Sequence, residues 1–345
     1  MPDHSSKPEV SEAAETVAMP DCPGRPALAI AAVGWVLLLT DSGNCFRVSS
    51  AGNLAMHRLP DLEGCSAVDV DAAGRLCVGL YDGMIAIPRD DEWSYHAADA
   101  VVLSLAATPW GLAVGDASGS VTLRDPPGPA TARAVLGEAV VDLLAFDGGV
   151  VALGARGGLW RLEQPHGGAF SAASVSTNEA LGRPVGLFRT GNRSKVGVYS
   201  VERLALLGSG AQRLTVGIRR FADGINKVVP FGPIPGKVDS LPLGLLTDAG
   251  HVWFVDADLK TVASVVLPEE PNVVGLASGP SGRLLAWTGD GSVFSIGRDR
   301  RAQLLPASDA VLAFAGPDQS DRVAIVQWQQ KRGLKVSRFR PDSTR

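Results

Sequence analysis

The sequence is poor in the residues that build metal and redox centres. Its 345 residues hold four cysteines and five histidines. Cys22, Cys45, Cys65 and Cys77 all fall in the first quarter and form no CxxC pair, so neither a zinc nor a dithiol centre is indicated. Disulfide frameworks belong to small secreted domains with little core, which leaves these four as reduced, buried thiols. His4, His57, His96, His166 and His251 sit singly in different segments, with no HExxH and no close His/Asp/Glu set. No cofactor is expected. Helix-period stretches are also missing. The apolar run "ALAIAAVGWVLLL" at 27–39 has 13 residues, where a membrane helix needs about 20. The first 26 residues are acidic and polar where a signal peptide is cationic and then apolar. A soluble, cytoplasmic protein is expected. Its richness in Ala, Gly, Val and Arg suggests a bacterial genome of high GC content.

Charge is scarce as well. Charged residues make up 20% and the net charge is −4, which gives no general pull toward nucleic acid or an anionic membrane. The basic stretches "RDRR" (298–301) and "QQKRGLKVSRFR" (329–340) have only Phe339 as an interleaved aromatic, so nucleic-acid binding is not expected. "DVDAAG" (69–74) lacks the third ligand and the later Glu of a calcium loop. "GARGG" and "GSGAQ" open no helix that would hold a phosphate, and no GxSxG occurs.

What is present is repetition. "LLLTDSGNCFRV" at 37–48 returns as "CVGLYDGMIAI" (77–87), "LAVGDASGSVTL" (112–123) and "LLAWTGDGSVFSI" (284–296). The turn residue falls at Gly43, Gly83, Gly119, Gly158, Glu202, Gly250, Gly291 and Gly333, in steps of 40, 36, 39, 44, 48, 41 and 42. Eight copies at about 40 residues match a propeller blade of four short strands. Each unit reads as strands a to d. Strands a and b are rich in Val, Leu and Ala, as covered strands should be. Strand d is more polar, as an edge should be. The fifth unit has Val201-Glu202 in place of X-Gly, so its b–c turn must be of another type, and seven blades is the alternative count. The eighth unit stops after strand c. "TVAMPDCPG" (16–24) resembles the strand d of the first unit and its exit, so Thr16–Met19 should supply the missing outer strand and close the ring.

This grammar resembles β-propellers of the WD40-like and PQQ-like repeat superfamilies over residues 16–340. "SVTLRD" (120–125), "HVWFVDAD" (251–258) and "SVFSIGRD" (292–299) look like worn forms of a strand c ending in Trp-Asp. The Gly-His pair that opens a typical WD40 repeat is absent. The resemblance implies an all-β fold: a single propeller of eight four-stranded antiparallel blades, with short tails at 1–15 and 341–345. It also implies a platform for other proteins. A quinone-dependent dehydrogenase shares only the blade count.

Three features exceed the scaffold. Residues 1–182 carry 10 Lys and Arg against 22 Asp and Glu, and residues 183–345 carry 22 against 14, so balances of −12 and +8 divide the ring. The stretch "RRFADGINKVVPFGPIPGKVD" (219–239) reads as an inserted d–a connection. It offers Arg219, Arg220, Phe221 and Phe231 as partner contacts, with plugging of a blade junction as the other role for the two phenylalanines. Trp93 and Tyr95, in "DDEWSYH", lie on a predicted outer strand and are further contact candidates. The expected function is a non-catalytic interaction module or assembly scaffold, monomeric alone and part of a larger complex. An enzyme or small-ligand binder with its site at the axis is the alternative. Polar groups converging from several a-strands would favour it, and small apolar ones the scaffold.

Overall fold

The structure, a computed structural model, describes strands throughout residues 17–339. Side chains are described between 66 and 304, and several connections, the longest at 232–241, lie outside the described residues. So do 1–16 and 340–345, where the tails were expected, and the turns at Gly43 and Gly291.

Among the described residues every strand belongs to a four-strand antiparallel meander. Seven of these run 26–58, 65–97, 102–135, 140–174, 184–216, 225–264 and 273–305. The last comprises Ala310–Ala315, Val323–Gln329 and Gly333–Phe339, completed on its outer side by Val17–Met19. Val17 pairs with Val336, Ala18 with Lys335 and Met19 with Leu334. The strand predicted from "TVAM" is therefore the latch of the ring. The inner strands of the first and last units also touch. Units 3 and 4 join further into one eight-stranded sheet through a parallel bridge between Arg133 and Ala169 on their outer strands.

The cores explain why the hairpin repeats. Among the described residues, none lies inside one unit. Cys77, Ile85 and Ile87 of unit 2 pack on Val102, Leu105 and Leu112 of unit 3. The same holds between units 3 and 4, 4 and 5, 5 and 6, and 6 and 7. A lone four-stranded sheet cannot exclude water from both faces, but a blade held between two others can. Strands b and c of unit 3 are accordingly almost wholly buried, whereas its strand d alternates and is mostly exposed. Cys77 is a buried thiol as expected, and the side chains of Cys22, Cys45 and Cys65 are outside those described.

Glycine permits the closest blade contacts. A Cβ on Gly115 would stand 2.6 Å from Val140 Cγ1 of the next unit. Gly79 meets Val102 in the same way. In the turns, Gly83, Gly119 and Gly250 adopt the positive φ that a tight hairpin needs. In the fourth unit Gly157, not Gly158, does so. The fifth unit forms its own sheet, Pro184–Arg189, Lys195–Ser200, Leu204–Gly208 and Thr215–Val216. Its b–c turn is of another kind, as Val201-Glu202 required. The Ser200 hydroxyl accepts from the N–H of Arg203 at 3.1 Å, and the Ser200 N–H donates to the Arg203 carbonyl at 2.9 Å.

One assignment is corrected. The stretch at 219–239 is not all connection, because Ile225–Pro230 is strand a of the sixth unit and pairs with Leu243–Thr247. The β-branched Ile225, Val228 and Val229 fit a strand, and the three nearby prolines obscured them. The extra length sits between strands a and b.

Candidate functional site: the axial mouth

Strand a is the innermost strand of each unit, and all eight begin with the same irregularity. The register between strands a and b skips one residue near the start of strand a. The skipped residue is Ser66, Leu103, Val141, Val185, Asn226 or Val274 in units 2 to 7. A bulge of this kind leaves its residue outside the ladder and re-aims the side chain. The residue before it is buried, as Val140 and Val273 show, while the skipped Val141, Val185 and Val274 are 41%, 44% and 54% exposed. These bulges share the end of the ring that carries the b–c turns and the d–a links. Among the described residues a partial apolar collar therefore lines one mouth of the axis, with Val141, Val185 and Val274 exposed and the polar Ser66 and Asn226 interrupting it.

The first ladder residue after each bulge forms the next tier. In units 4 to 7 it is Asp142, Gly186, Lys227 and Gly275. Gly186 pairs with Tyr199 and Gly275 with Trp287. A Cβ on either glycine would collide with the ring of its partner. Each aromatic thus folds over a bare stretch of inner strand, a cross-strand glycine–aromatic pair. Lys227 stands between them, its Nζ 5.9 Å from the Trp287 ring centroid. The Lys227 side chain is exposed to water, and partial desolvation lowers its pKa. Among the described residues no carboxylate lies within ion-pair distance of it.

Asp142 is placed differently. Its Oδ2 accepts the Leu187 N–H of the next unit at 2.9 Å, and burial pushes its carboxyl up to about 6, against that hydrogen bond and one from Leu143. Burial, then the charges of Asp142 and Asp248, raise the Tyr199 phenol. Asp248 in turn accepts from Asn226 Nδ2 at 3.1 Å. Asp69 repeats the role of Asp142 two units earlier, its Oδ2 accepting the Ala107 N–H of the following inner strand at 2.9 Å. "DVDAAG" therefore supplies a link between blades. Among the described residues no group of three or more His, Cys, Asp or Glu is placed to hold a metal.

The contact candidates divide. Phe221 (4% exposed) is buried between units 5 and 6, edge-on to Trp253 at 5.9 Å. Phe231 (1%) is buried between units 6 and 7, edge-on to Phe254 at 5.5 Å. Both plug blade junctions, because an aromatic ring there fills the wedge between two twisted sheets, and neither offers a surface to a partner. Arg219 and Arg220 remain on the surface. Arg219 stacks on Trp253, its Cζ 4.0 Å from the ring centroid, and Arg220 makes a two-pronged ion pair with Glu202. Trp93 is half-buried and Tyr95 is 38% exposed, on the outer strand Glu92–Ala97 of unit 2, away from the two arginines. The collar and Lys227 escaped sequence reading. Their signal was a valine or leucine second in strand a, recurring where the next strand's pairing slips.

No family profile matches the sequence, and no curated protein matches it. Solved structures do. The computationally designed Ika8 protein superposes with a TM-score of 0.66 at 12% identity, over 93% of this chain and 98% of that one. BamB from Moraxella catarrhalis gives 0.59 at 13%, over 96% and 98%. The β-propeller domain of Myceliophteria thermophila Cps50 (Swd1) gives 0.54 at 10%, over 93% and 100%. Likeness at such identity speaks for the fold, and with the meanders, the latch and the cores between blades it establishes this chain as a β-propeller.

Proposed function

We propose that this propeller is a non-catalytic protein-interaction module, an assembly scaffold of the bacterial cytoplasm, monomeric alone and engaged in a larger complex. The observation that carries the reading is the partial collar: Val141, Val185 and Val274 hold exposed apolar surface at one axial mouth. The inner-strand carboxylates support it too. Asp69 and Asp142 bond to the backbone of the next blade and are committed to structure. Lys227 beside the Trp287 ring, on the same tier as Asp142, favours a small-ligand site at the axis as the second reading. Affinity capture from cells of the source organism tests the first, with wild type compared to the triple variant Val141→Ser, Val185→Ser, Val274→Ser. Loss of specific partners by a variant that unfolds at the wild-type temperature is expected. Partners retained in full by the triple variant would remove this mouth as the docking surface.

A further inference from the structure

Two valines of the mouth, in units 4 and 5, are tied together through one side chain. Val141 (41% exposed) is followed at once by Asp142, and Val185 (44%) stands two residues before Leu187. The Asp142 Oδ2 accepts the Leu187 N–H at 2.9 Å, from the inner strand of one blade to that of the next. Between Val185 and Leu187 lies Gly186, which brings no side chain of its own to the junction, and the Tyr199 ring covers it. The Asp142–Leu187 hydrogen bond is thus a polar tie between the two strand starts that carry the valines.

What this tie does depends on a proton. Ionised, the carboxyl offers more lone pairs than the backbone N–H groups of Leu187 and Leu143 fill, so water must come to the rest. Neutral, it needs no such water and keeps an oxygen for Leu187. The surroundings favour the neutral form. Burial is the main cause, and unit 5 adds the Tyr199 phenol, on which the charge of Asp248 of unit 6 also acts. The other charges on the strands packed against Asp142 are held or distant. Asp116 of unit 3 accepts the N–H groups of Ser118 and Ser120, and Arg189 and Lys195 of unit 5 lie at the far ends of their strands. Ahead of the strand Glu138 meets Arg156 at 3.7 Å, and Lys227 of unit 6 is exposed to water. We infer that Asp142 is a proton-controlled strut of the mouth: neutral, it holds Val141 and Val185 at one spacing, and ionised, it admits water and lets units 4 and 5 part there. This deepens the interaction-module reading and rests on it for its consequence, that docking on these valines tightens in acid.

The test uses the full chain with isotope-labelled valine methyl groups, read by NMR, with Val141→Ile and Val185→Ile to assign the two signals. Both should move between pH 4 and pH 8 with a midpoint of about 6, where Asp142 titrates. Amide exchange of the strand Pro184–Arg189, corrected for its intrinsic pH dependence, should quicken over the same range. Asp142→Asn should hold both readouts at their acid values throughout. Tyr199→Phe, which leaves the carboxyl in place, should keep a midpoint in the acid range. Valine signals with no such midpoint, a midpoint that survives in Asp142→Asn, or one lost in Tyr199→Phe would overturn the inference. A partner captured by wild type and lost by the triple serine variant should bind about tenfold tighter at pH 5 than at pH 7, the ratio of neutral carboxyl at the two, and Asp142→Asn should abolish that ratio. Partner loss in the triple variant with valine signals that ignore pH would leave the proposed function standing and sink this inference alone. Valine signals that follow Asp142 while the triple variant keeps every partner would support the strut and remove the mouth as the docking surface.

Discussion

Replacing Asp142 with asparagine should stabilise the ring at neutral pH and flatten its response to acid. The Asp142 carboxyl is raised from an ordinary 3.8 to about 6, chiefly by burial. A raised carboxyl takes its proton more readily in the folded chain than in the unfolded one. Its contribution to stability is therefore complete below about pH 3.8 and is lost as pH rises through about 6. A rise of that size corresponds to about 3 kcal/mol, an upper figure because the carboxyl is not wholly cut off from water. For a chain of this size that is about 4 °C in unfolding temperature, at about 2.1 cal/mol/K of unfolding entropy per residue. Asparagine keeps an oxygen for the Leu187 N–H and carries no charge. Wild type and variant are unfolded in parallel between pH 4 and pH 8, and the difference is read at each pH. His96, whose pKa is lowered by burial and by Arg124, responds to acid in the opposite sense but is common to both proteins and cancels. The variant should be the more stable at pH 8, with the gap closing toward pH 4. A gap independent of pH, or a variant less stable at pH 8, would refute the reasoning.

Further outcomes follow from the blade junctions. Gly115→Ala should cost about 1–3 kcal/mol by overpacking, since its Cβ would reach within 3.0 Å of Val140 Cβ, whereas Gly208→Ala, whose nearest neighbour is Ala211 Cβ at 4.0 Å, should leave the unfolding temperature unchanged. Phe231→Ala should cost about 3–5 kcal/mol in denaturant unfolding, and a near-zero cost would contradict its burial between units 6 and 7. Asp69→Ala should cost about 1–3 kcal/mol by leaving the Ala107 N–H without its acceptor, with faster hydrogen exchange at that amide, and Asp69→Asn should restore most of the protection.

The ring was legible in the sequence because its period is written in hairpin turns, and Gly83, Gly119 and Gly250 each carry the positive φ that marks one. The latch was legible because Thr16–Met19 resembles other outer strands. The site was less so. Phe221 and Phe231 look like exposed contacts in a proline-rich stretch, but their fate depends on blades distant in sequence that close over them. Lys227 reads as one lysine among many until the register puts it level with Asp142, Gly186 and Gly275. A bulge leaves no residue signature of its own, since it is a property of pairing between two strands. The apolar collar was thus invisible one strand at a time.

The central claim is a ring latched by an early segment of the chain. Disulfide trapping of Ala18→Cys with Lys335→Cys tests it most directly. The two are cross-strand partners, which sets their Cα atoms about 4.5–5.5 Å apart, within reach of a disulfide. Mild oxidation should form the 18–335 bond, mapped by mass spectrometry, and stabilise the fold by up to about 5 kcal/mol through the long loop it closes. Ala18→Cys with Ala55→Cys, on the outer strand of the first unit, should stay reduced. An 18–335 pair that does not form, or forms no faster than 18–55, would contradict a closed propeller.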